Sequence, residues 1–299
     1  MKPTLLILAA GMASRYGSMK QVDGFGPNGE TIIDYSIYDA IKAGFGKVVF
    51  IIKEEFEDNF RKIFDPKLKG KIEVAYVFQN FDLKQFGIDE EIYREKPWGT
   101  AHAILSGRKI VKEPFCVINA DDFYGFDAFK KMVDFLNDEA NDSNFSIIGY
   151  QIGKTLSDFG AVSRGVCKVD ESGNLVEIIE RTKVYQENGV IVYEEHDDKF
   201  PLDFETPVSM NFWGFTPAVF KITEELFREF AMENKSNPKA EFFIPLIGEN
   251  LVKSNTATFK VVPTSTKWFG VTYKEDKPFV QASIDQLIKD GVYPEKLWN

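Results

Sequence analysis

The sequence predicts an α/β protein: a wound, mostly parallel central sheet with helices on both faces, continued by antiparallel, substrate-shaping segments in the second half. Three observations carry that expectation. Short apolar runs recur without polar alternation, as strands covered on both faces require. Helical patterns separate these runs through the first half of the chain. After Phe145 the helices thin out and strand-like runs follow one another.

Leu5–Ala10 is the first buried strand, and a glycine-punctuated loop runs from it to about Glu30. Thr31 and Asp34 stand at capping-box spacing; Ile33, Ile37, Ala40 and Ile41 share one helical face, and Gly44 stops the helix. Lys47–Ile52 is a second strand, Glu54–Phe64 a second amphipathic helix and Ile72–Phe78 a third strand. Thr100–Ile110 reads as helix, Phe115–Asn119 as a fourth strand and Phe126–Asn137 as helix again. In the second half the runs FSIIGYQI, AVSRGVCKVD, NLVEIIER, VIVYEE and TPVSMNFWGF are strand-like, with Asp170–Asn174 a hairpin turn. Helices return at Ala218–Glu233, Phe242–Lys253 and Lys277–Lys289. No low-complexity linker and no internal repeat divides the chain, so 1–299 is expected to form a single domain.

A chain of 299 residues with 44% hydrophobic content can bury a sizeable core. Its charge, 36 − 46 = −10 without a basic run, argues against a nucleic-acid partner. A small anion is another matter, because a few local cations and a metal dominate the field inside a cleft. Cys116 and Cys167 lie in apolar or strand-like runs, fit no zinc spacing and read as buried thiols in a reducing compartment. The apolar core Leu5–Ala10 is shorter than a signal h-region, and no run approaches a membrane span. The expectation is a soluble, cytoplasmic protein with no membrane partner.

The stretch LLILAAGMASRYGSMKQ ends a buried strand in small residues and then presents two cations. Gly11 permits a tight turn and close approach of backbone N–H groups to phosphate oxygens. Arg15 can fork across two such oxygens, and Lys20 adds a compact charge. Read alone, the same loop can equally be a solvated surface turn. A rival, GFGPNG at Gly24, Gly26 and Gly29, matches a dinucleotide pattern but starts more than a dozen residues after the strand and contains a proline. It is expected to be a glycine loop.

Ligands of wound sheets bind at the carboxyl ends of strands. The fourth strand runs there into NADDFYG, where Asp121 and Asp122 are candidate Mg²⁺ ligands, with a helix N-cap as the alternative. The third strand ends at Gln79, whose amide can pair with a base edge. KPWGTAHA brings Gly99 and Thr100 to a helix start where backbone groups can meet a flat base, and His102 reads as a packing residue.

The ordered set LAAGMASRYGSMKQ, GTAHAI and NADDFYG resembles the nucleotidyltransferase superfamily that makes nucleotide sugars, with echoes of glucose-1-phosphate thymidylyl- and uridylyltransferases. The match covers roughly the first 125 residues well. It implies a Rossmann-like nucleotidyltransferase fold, with 1–125 as a nucleotide-binding half and 126–299 as a sugar-phosphate-binding half. Activity would be transfer of a nucleotidyl group from an NTP, with UTP or dTTP favoured by Gln79, to a sugar-1-phosphate with release of pyrophosphate. Catalytic roles fall to Arg15, Lys20 and Asp121; nucleotide contacts to Ala9, Ala10, Gly11, Gln79, Gly99 and Thr100; Mg²⁺ to Asp121 and Asp122. FGAVSRG nominates Gly160 against the sugar ring. VEIIERTK nominates Glu180 for sugar hydroxyls and Arg181 or Lys183 for the acceptor phosphate, and PVSMNFWGF nominates Asn211 near the sugar. Homo-oligomerisation is left open.

Two departures stand out. Residues 80–98 form an insert whose Phe81, Phe86, Ile88 and Tyr93 can serve either as a lid over the base or as local packing. The late metal aspartate that follows a tryptophan in the family is replaced by Gly270, which leaves Asp276, or Asp121 and Asp122 alone, as metal ligands. A glycosyltransferase would not need the first-loop cations. A polyol- or choline-phosphate cytidylyltransferase would keep them, and a nucleotide sensor would bind NTP without releasing pyrophosphate.

Overall fold

A computed structural model describes residues 1–11, 24–271, 273 and 275–298. Among them the chain builds one eleven-stranded sheet. Strands β1 (Thr4–Leu8), β2 (Lys47–Ile52), β3 (Glu73–Phe78) and β4 (Phe115–Asn119) lie parallel in the order β4-β1-β2-β3. Helices α1 (Ile32–Ala43), α2 (Glu57–Leu68) and the short α3 (Thr100–Ile104) connect them. After the two-residue β5 (Asp122–Phe123) and helix α4 (Phe126–Asp138) come β6 (Asn144–Gln151), β7 (Val162–Val169), β8 (Leu175–Glu187), β9 (Val190–Glu195), β10 (Asp198–Leu202) and β11 (Pro207–Phe215). Helices α5 (Ala218–Glu233) and α6 (Ile244–Lys253) precede β12 (Thr258–Thr264), the two-residue β13 (Phe269–Gly270) and α7 (Asp276–Lys289).

Alternate residues of each inner strand serve two cores. Leu5, Ile7, Val48, Phe50, Cys116 and Ile118 face α1, α2, α4 and α7. Leu6, Val49, Ile51, Phe115 and Val117 face α3, α5 and α6. The sheet is apolar on both sides, and so the sequence runs lack alternation. The turn 170–174 closes β7 onto β8, with the Asp170 N–H donating to Asn174 O at 2.9 Å.

Strand β11 joins the halves. Val208 and Ser209 pair with β7, whereas Trp213, Gly214 and Phe215 pair with β4. Between them the register on β6 shifts, and Asn211 takes a left-handed φ of 63°. Such a bulge re-aims a side chain.

The capping box expected at Thr31 forms, with the Thr31 N–H donating to Asp34 Oδ2 at 2.8 Å. Asp34 is fully buried and also accepts from Lys67 Nζ and Trp298 Nε1, each at 2.8 Å, so the C-terminal segment docks on α1. Other expectations need adjustment at their ends. The helix read at Thr100–Ile110 gives way after Ile104 to a 3₁₀ turn at Leu105–Gly107, and that read at Glu54–Phe64 begins as 3₁₀ and continues to Leu68.

Candidate active site

The four parallel strands end at one edge of the sheet. From β1 the chain moves to β2 and β3 on one side and to β4 on the other, so the ends of β1 and β4 form the switch point of the sheet, where a crevice is expected. Such a switch point is where wound sheets hold ligands. Ala9, buried like Ala10, donates its N–H to Ile51 O at 2.9 Å. Gly11 is exposed, and no described atom lies within 4 Å of where a Cβ would stand. Arg15 and Lys20 lie outside the described residues. Beyond them the chain is a closed turn: the Phe25 and Gly26 N–H groups both donate to Glu30 O, at 2.7 and 2.9 Å. Gly24 approaches Gly29 so closely that a Cβ would meet Gly29 Cα at 2.6 Å. The GFGPNG glycines therefore shape a turn. Gln281 Nε2 holds it through Phe25 O, and Asn28 Nδ2 donates to Glu295 O at 2.7 Å.

Across the crevice, Asp121 and Asp122 stand half-buried after β4, and neither caps a helix, since α4 is capped by Gly125. Asp122 Oδ2 accepts from Asn119 Nδ2 at 2.8 Å and from the Tyr124 hydroxyl at 3.2 Å. Burial and then the Asp121 charge push the Asp122 pKa up to about 7, against the pull of Asn119, Arg164 and Tyr124. Strand β13 pairs with β5 so that Gly270 is opposite Asp122, and a Cβ there would stand 2.9 Å from Asp122 Oδ1. The missing late aspartate is thus missing right beside the acid pair. Asp276 is engaged elsewhere, accepting from Ser157 Oγ at 2.8 Å and from the Tyr273 N–H at 2.7 Å. Among the described residues no three acidic, His or Cys side chains converge on a metal position. Two adjacent carboxylates that repel each other fit Mg²⁺, which keeps several waters and takes one or two carboxylates plus substrate phosphates.

On the other flank of β1, Gln79 follows β3. Its Nε2 lies 3.4 Å from Gly99 O and 3.3 Å from His102 Nδ1. An amide nitrogen only donates, so His102 Nδ1 accepts and the ring is neutral. Gly99 has φ 99° and abuts the Phe242 backbone; the Ala101 N–H donates to Phe242 O at 2.9 Å, and Thr100 Oγ1 accepts from the Ile244 N–H at 3.1 Å. His102 is buried against Phe86 and Phe227, and burial pushes its pKa down to about 3. Because the unfolded chain protonates near pH 6.5 and the native chain does not, stability is full above that pH and lost below it, at up to about 1.4 kcal/mol per pH unit down to about pH 3. A His102→Gln variant is expected to flatten that acid slope in urea titrations between pH 4 and 7.

Insert 80–98 packs on α5. Leu83, Phe86, Ile88 and Trp98 are buried, Phe86 meets Phe227 edge-on at 5.0 Å, and Arg94 lies 3.8 Å over the Trp98 ring. Phe86 and Ile88 are core residues and form no lid; Phe81 and Tyr93 are exposed.

Three of the acceptor-side candidates, Glu180, Arg181 and Lys183, lie on β8, which pairs with β7. Gly165 pairs with Glu180 and Arg164 with Arg181. The Glu180 pKa is raised by withdrawal from water, opposed by Arg164. Arg181 Nη1 bonds Glu195 at 2.8 Å and stacks on Tyr193, while Lys183 Nζ reaches Glu194 at 3.3 Å. Together with Thr182 and Asp197 these groups line a cavity of about 270 Å³. Gly160 lies under the Tyr273 ring, whose hydroxyl donates to Ala161 O. Asn211 faces Asn119, with Nδ2 donating to Oδ1 at 2.6 Å. Sequence reasoning passed over Arg164, although it sits inside the quoted FGAVSRG. It is buried over Trp268, donates to Thr155 and Ser163, and has its pKa lowered by burial to about 10 against the attraction of Asp122, Glu180 and Asp276. It is a cation within the described fold that attracts Asp122.

The family model for nucleotidyl transferases matches residues 6–250. No curated protein matches the sequence significantly. Among solved structures, the inositol-1-phosphate CTP transferase from T. maritima is similar at TM-score 0.61 and 14% identity, over 95% of this chain and 97% of that one. A Bacillus anthracis protein designated a glucose-1-phosphate thymidylyltransferase, in complex with a sucrose, follows at 0.60 and 15%, over 94% of each. A UDP-glucose pyrophosphorylase complexed with UDP-glucose gives 0.57 and 18%, over 96% of this chain and 99% of that one. At these identities the likeness is one of fold.

Proposed function

Because the chain belongs to the nucleotidyl transferase family, we propose that it transfers a nucleotidyl group from UTP or dTTP to a sugar-1-phosphate, releasing pyrophosphate and forming a nucleotide sugar. The observation that carries this reading is that the Ala9–Gly11 turn and the acid pair Asp121–Asp122 follow adjacent parallel strands, Leu8 pairing with Asn119. An oxygen of the acceptor phosphate attacks the α-phosphorus, the bond to the β-phosphate bridging oxygen breaks, and pyrophosphate leaves. A phosphate monoester is already a nucleophile, so no covalent intermediate is required. What the protein must do is align two polyanions and offset their repulsion.

Asp121 and Asp122 would hold Mg²⁺, which would supply positive charge to the triphosphate. Arg15 and Lys20 are assigned to the same triphosphate. Gln79 spends its amide nitrogen on Gly99 and His102, so its oxygen is the atom offered to a base, which suits the imide N–H of uracil or thymine. Glu180 is assigned to acceptor hydroxyls and Gly160 to the sugar ring. Arg181 and Lys183 would exchange their carboxylate partners Glu195 and Glu194 for the acceptor phosphate. The two halves act as one catalytic unit.

A second reading, cytidylyl transfer to a polyol or choline phosphate, draws on the acid-rich acceptor cavity, where Glu180, Glu194, Glu195 and Asp197 outnumber Arg181 and Lys183. Pyrophosphate release with Mg²⁺, crossing four nucleotides with sugar-1-phosphates, inositol-1-phosphate and phosphocholine, separates the two. Turnover with UTP or dTTP and a sugar phosphate is expected. Turnover confined to CTP selects the second reading, and nucleotide binding without any release leaves a sensor.

A further inference from the structure

Four side chains link the core to the acid pair in one direction. Trp213 Nε1 donates to Asn211 Oδ1 at 3.1 Å, Asn211 Nδ2 to Asn119 Oδ1 at 2.6 Å, and Asn119 Nδ2 to Asp122 Oδ2 at 2.8 Å. Chemistry fixes this polarity. An indole N–H can only donate, so Asn211 must turn its oxygen to Trp213 and its nitrogen to Asn119. Asn119 then has only an N–H left for Asp122.

Both ends of the chain of bonds are anchored. Trp213 is fully buried and lies parallel to Phe215, with ring centroids 6.1 Å apart. Tyr124, also fully buried, contacts the same Asp122 oxygen and Met210 O. Between them Asn211 adopts its left-handed φ at the β11 register shift. Asparagine and aspartate are among the few residues with a Cβ that take that conformation readily. Backbone strain at a bulge is thus spent on one amide contact.

We infer that Asn211 and Asn119 are positioning residues that hold the Asp122 carboxylate in a single orientation, with Oδ2 tied to the protein and Oδ1 directed toward Gly270 for the cation. This rests on the acid-pair reading above, and it gives Asn211 a role other than the sugar contact the family resemblance implies. With glycine at 270, no second carboxylate from β13 corrects the geometry of the pair. Orientation of the pair's own oxygens matters correspondingly more.

Two variants test it. Asn211→Asp keeps the shape, the left-handed backbone and the acceptor for Trp213, but has no N–H for Asn119. Asn119 must then rotate its amide, bringing its oxygen against Asp122. Asn211→Gly keeps the backbone and deletes the amide without adding charge. Mn²⁺ alone is titrated against the folded protein and read by electron paramagnetic resonance, with thermal melts alongside. Both variants are expected to weaken Mn²⁺ binding roughly tenfold, the effect typical of lost outer contacts at a metal site. The Mg²⁺ concentration for half-maximal turnover should rise in parallel, while the acceptor KM stays within about twofold. The negative charge added in Asn211→Asp works against weaker cation binding, so a loss there reports orientation. Wild-type Mn²⁺ affinity in both variants overturns the inference, as does a raised acceptor KM with unchanged metal dependence. A wild-type protein whose Mn²⁺ binding is insensitive to Asp121→Asn overturns the acid-pair reading itself, and the relay's role falls with it.

Discussion

An Asp121→Asn enzyme is expected to release pyrophosphate about a thousandfold more slowly than wild type, the scale of losing a group that stabilises transition-state charge, with a far smaller effect on thermal stability. The reason for the contrast is electrostatic. Asp121 and Asp122 follow one another at the end of β4, and the Asp121 charge helps raise the Asp122 pKa. Two like charges at a half-buried site repel each other, so neutralising one relieves that repulsion while weakening the hold on a cation. A purely structural carboxylate would show the reverse pattern, with a lower melting temperature and near-normal turnover per folded molecule. Pyrophosphate assays across Mg²⁺ concentrations, paired with thermal melts, decide between them.

Gly99→Ala should have the largest structural effect of any single methyl group near the cleft. Gly99 sits at φ 99°, and a Cβ would lie 2.5 Å from Phe242 O and 2.7 Å from Phe242 N. Those two atoms already hold the Ala101 N–H and Trp98 O. Relief requires either the backbone at Gly99 or the Phe242–Ile244 segment to move, and backbone is not yielding as a side-chain tip is. The cost is expected at about 3 kcal/mol, combining positive-φ strain with overpacking, or a fall in Tm of roughly 5–10 °C. Because Gln79 Nε2 leans on Gly99 O, nucleotide affinity should fall as well. Thermal melts and competitive nucleotide binding measure both; an unchanged Tm would mean that the 242–244 segment is not fixed on the α3 start.

Much of this architecture is written in local pattern. Leu5–Ala10, Lys47–Ile52 and Phe115–Asn119 are legible as buried strands because both faces are covered and every position is apolar. Gly11, Gln79, Gly99 and Asp121 are legible as candidates because each follows such a strand or opens the next helix. What was not legible depends on long-range pairing. β10, with Asp198–Leu202 mostly exposed, carries no alternation to read, and β12 is recognisable only once β6 lies beside it. The insert reads ambiguously because Phe86 and Trp98 are as apolar in a lid as in a core, and α5 decides the matter through Phe227. The left-handed Asn211 and the buried Arg164 leave no periodic trace at all. Their signals are single residues whose meaning appears when β11 changes partner and when β7 meets Trp268.

That change of partner has a mechanical consequence. One strand hydrogen-bonds to β7 with its first residues and to β4 with its last. Hinge bending between the β4 side and the β7 side would have to tear one of those ladders. The palm of the cleft is therefore stiff, and the distance between its two sides is set by strand register rather than by a closing motion. Any large displacement is left to the margins, such as the β8–β10 arm, while the separation between the ends of β4 and β7 is built into the sheet itself.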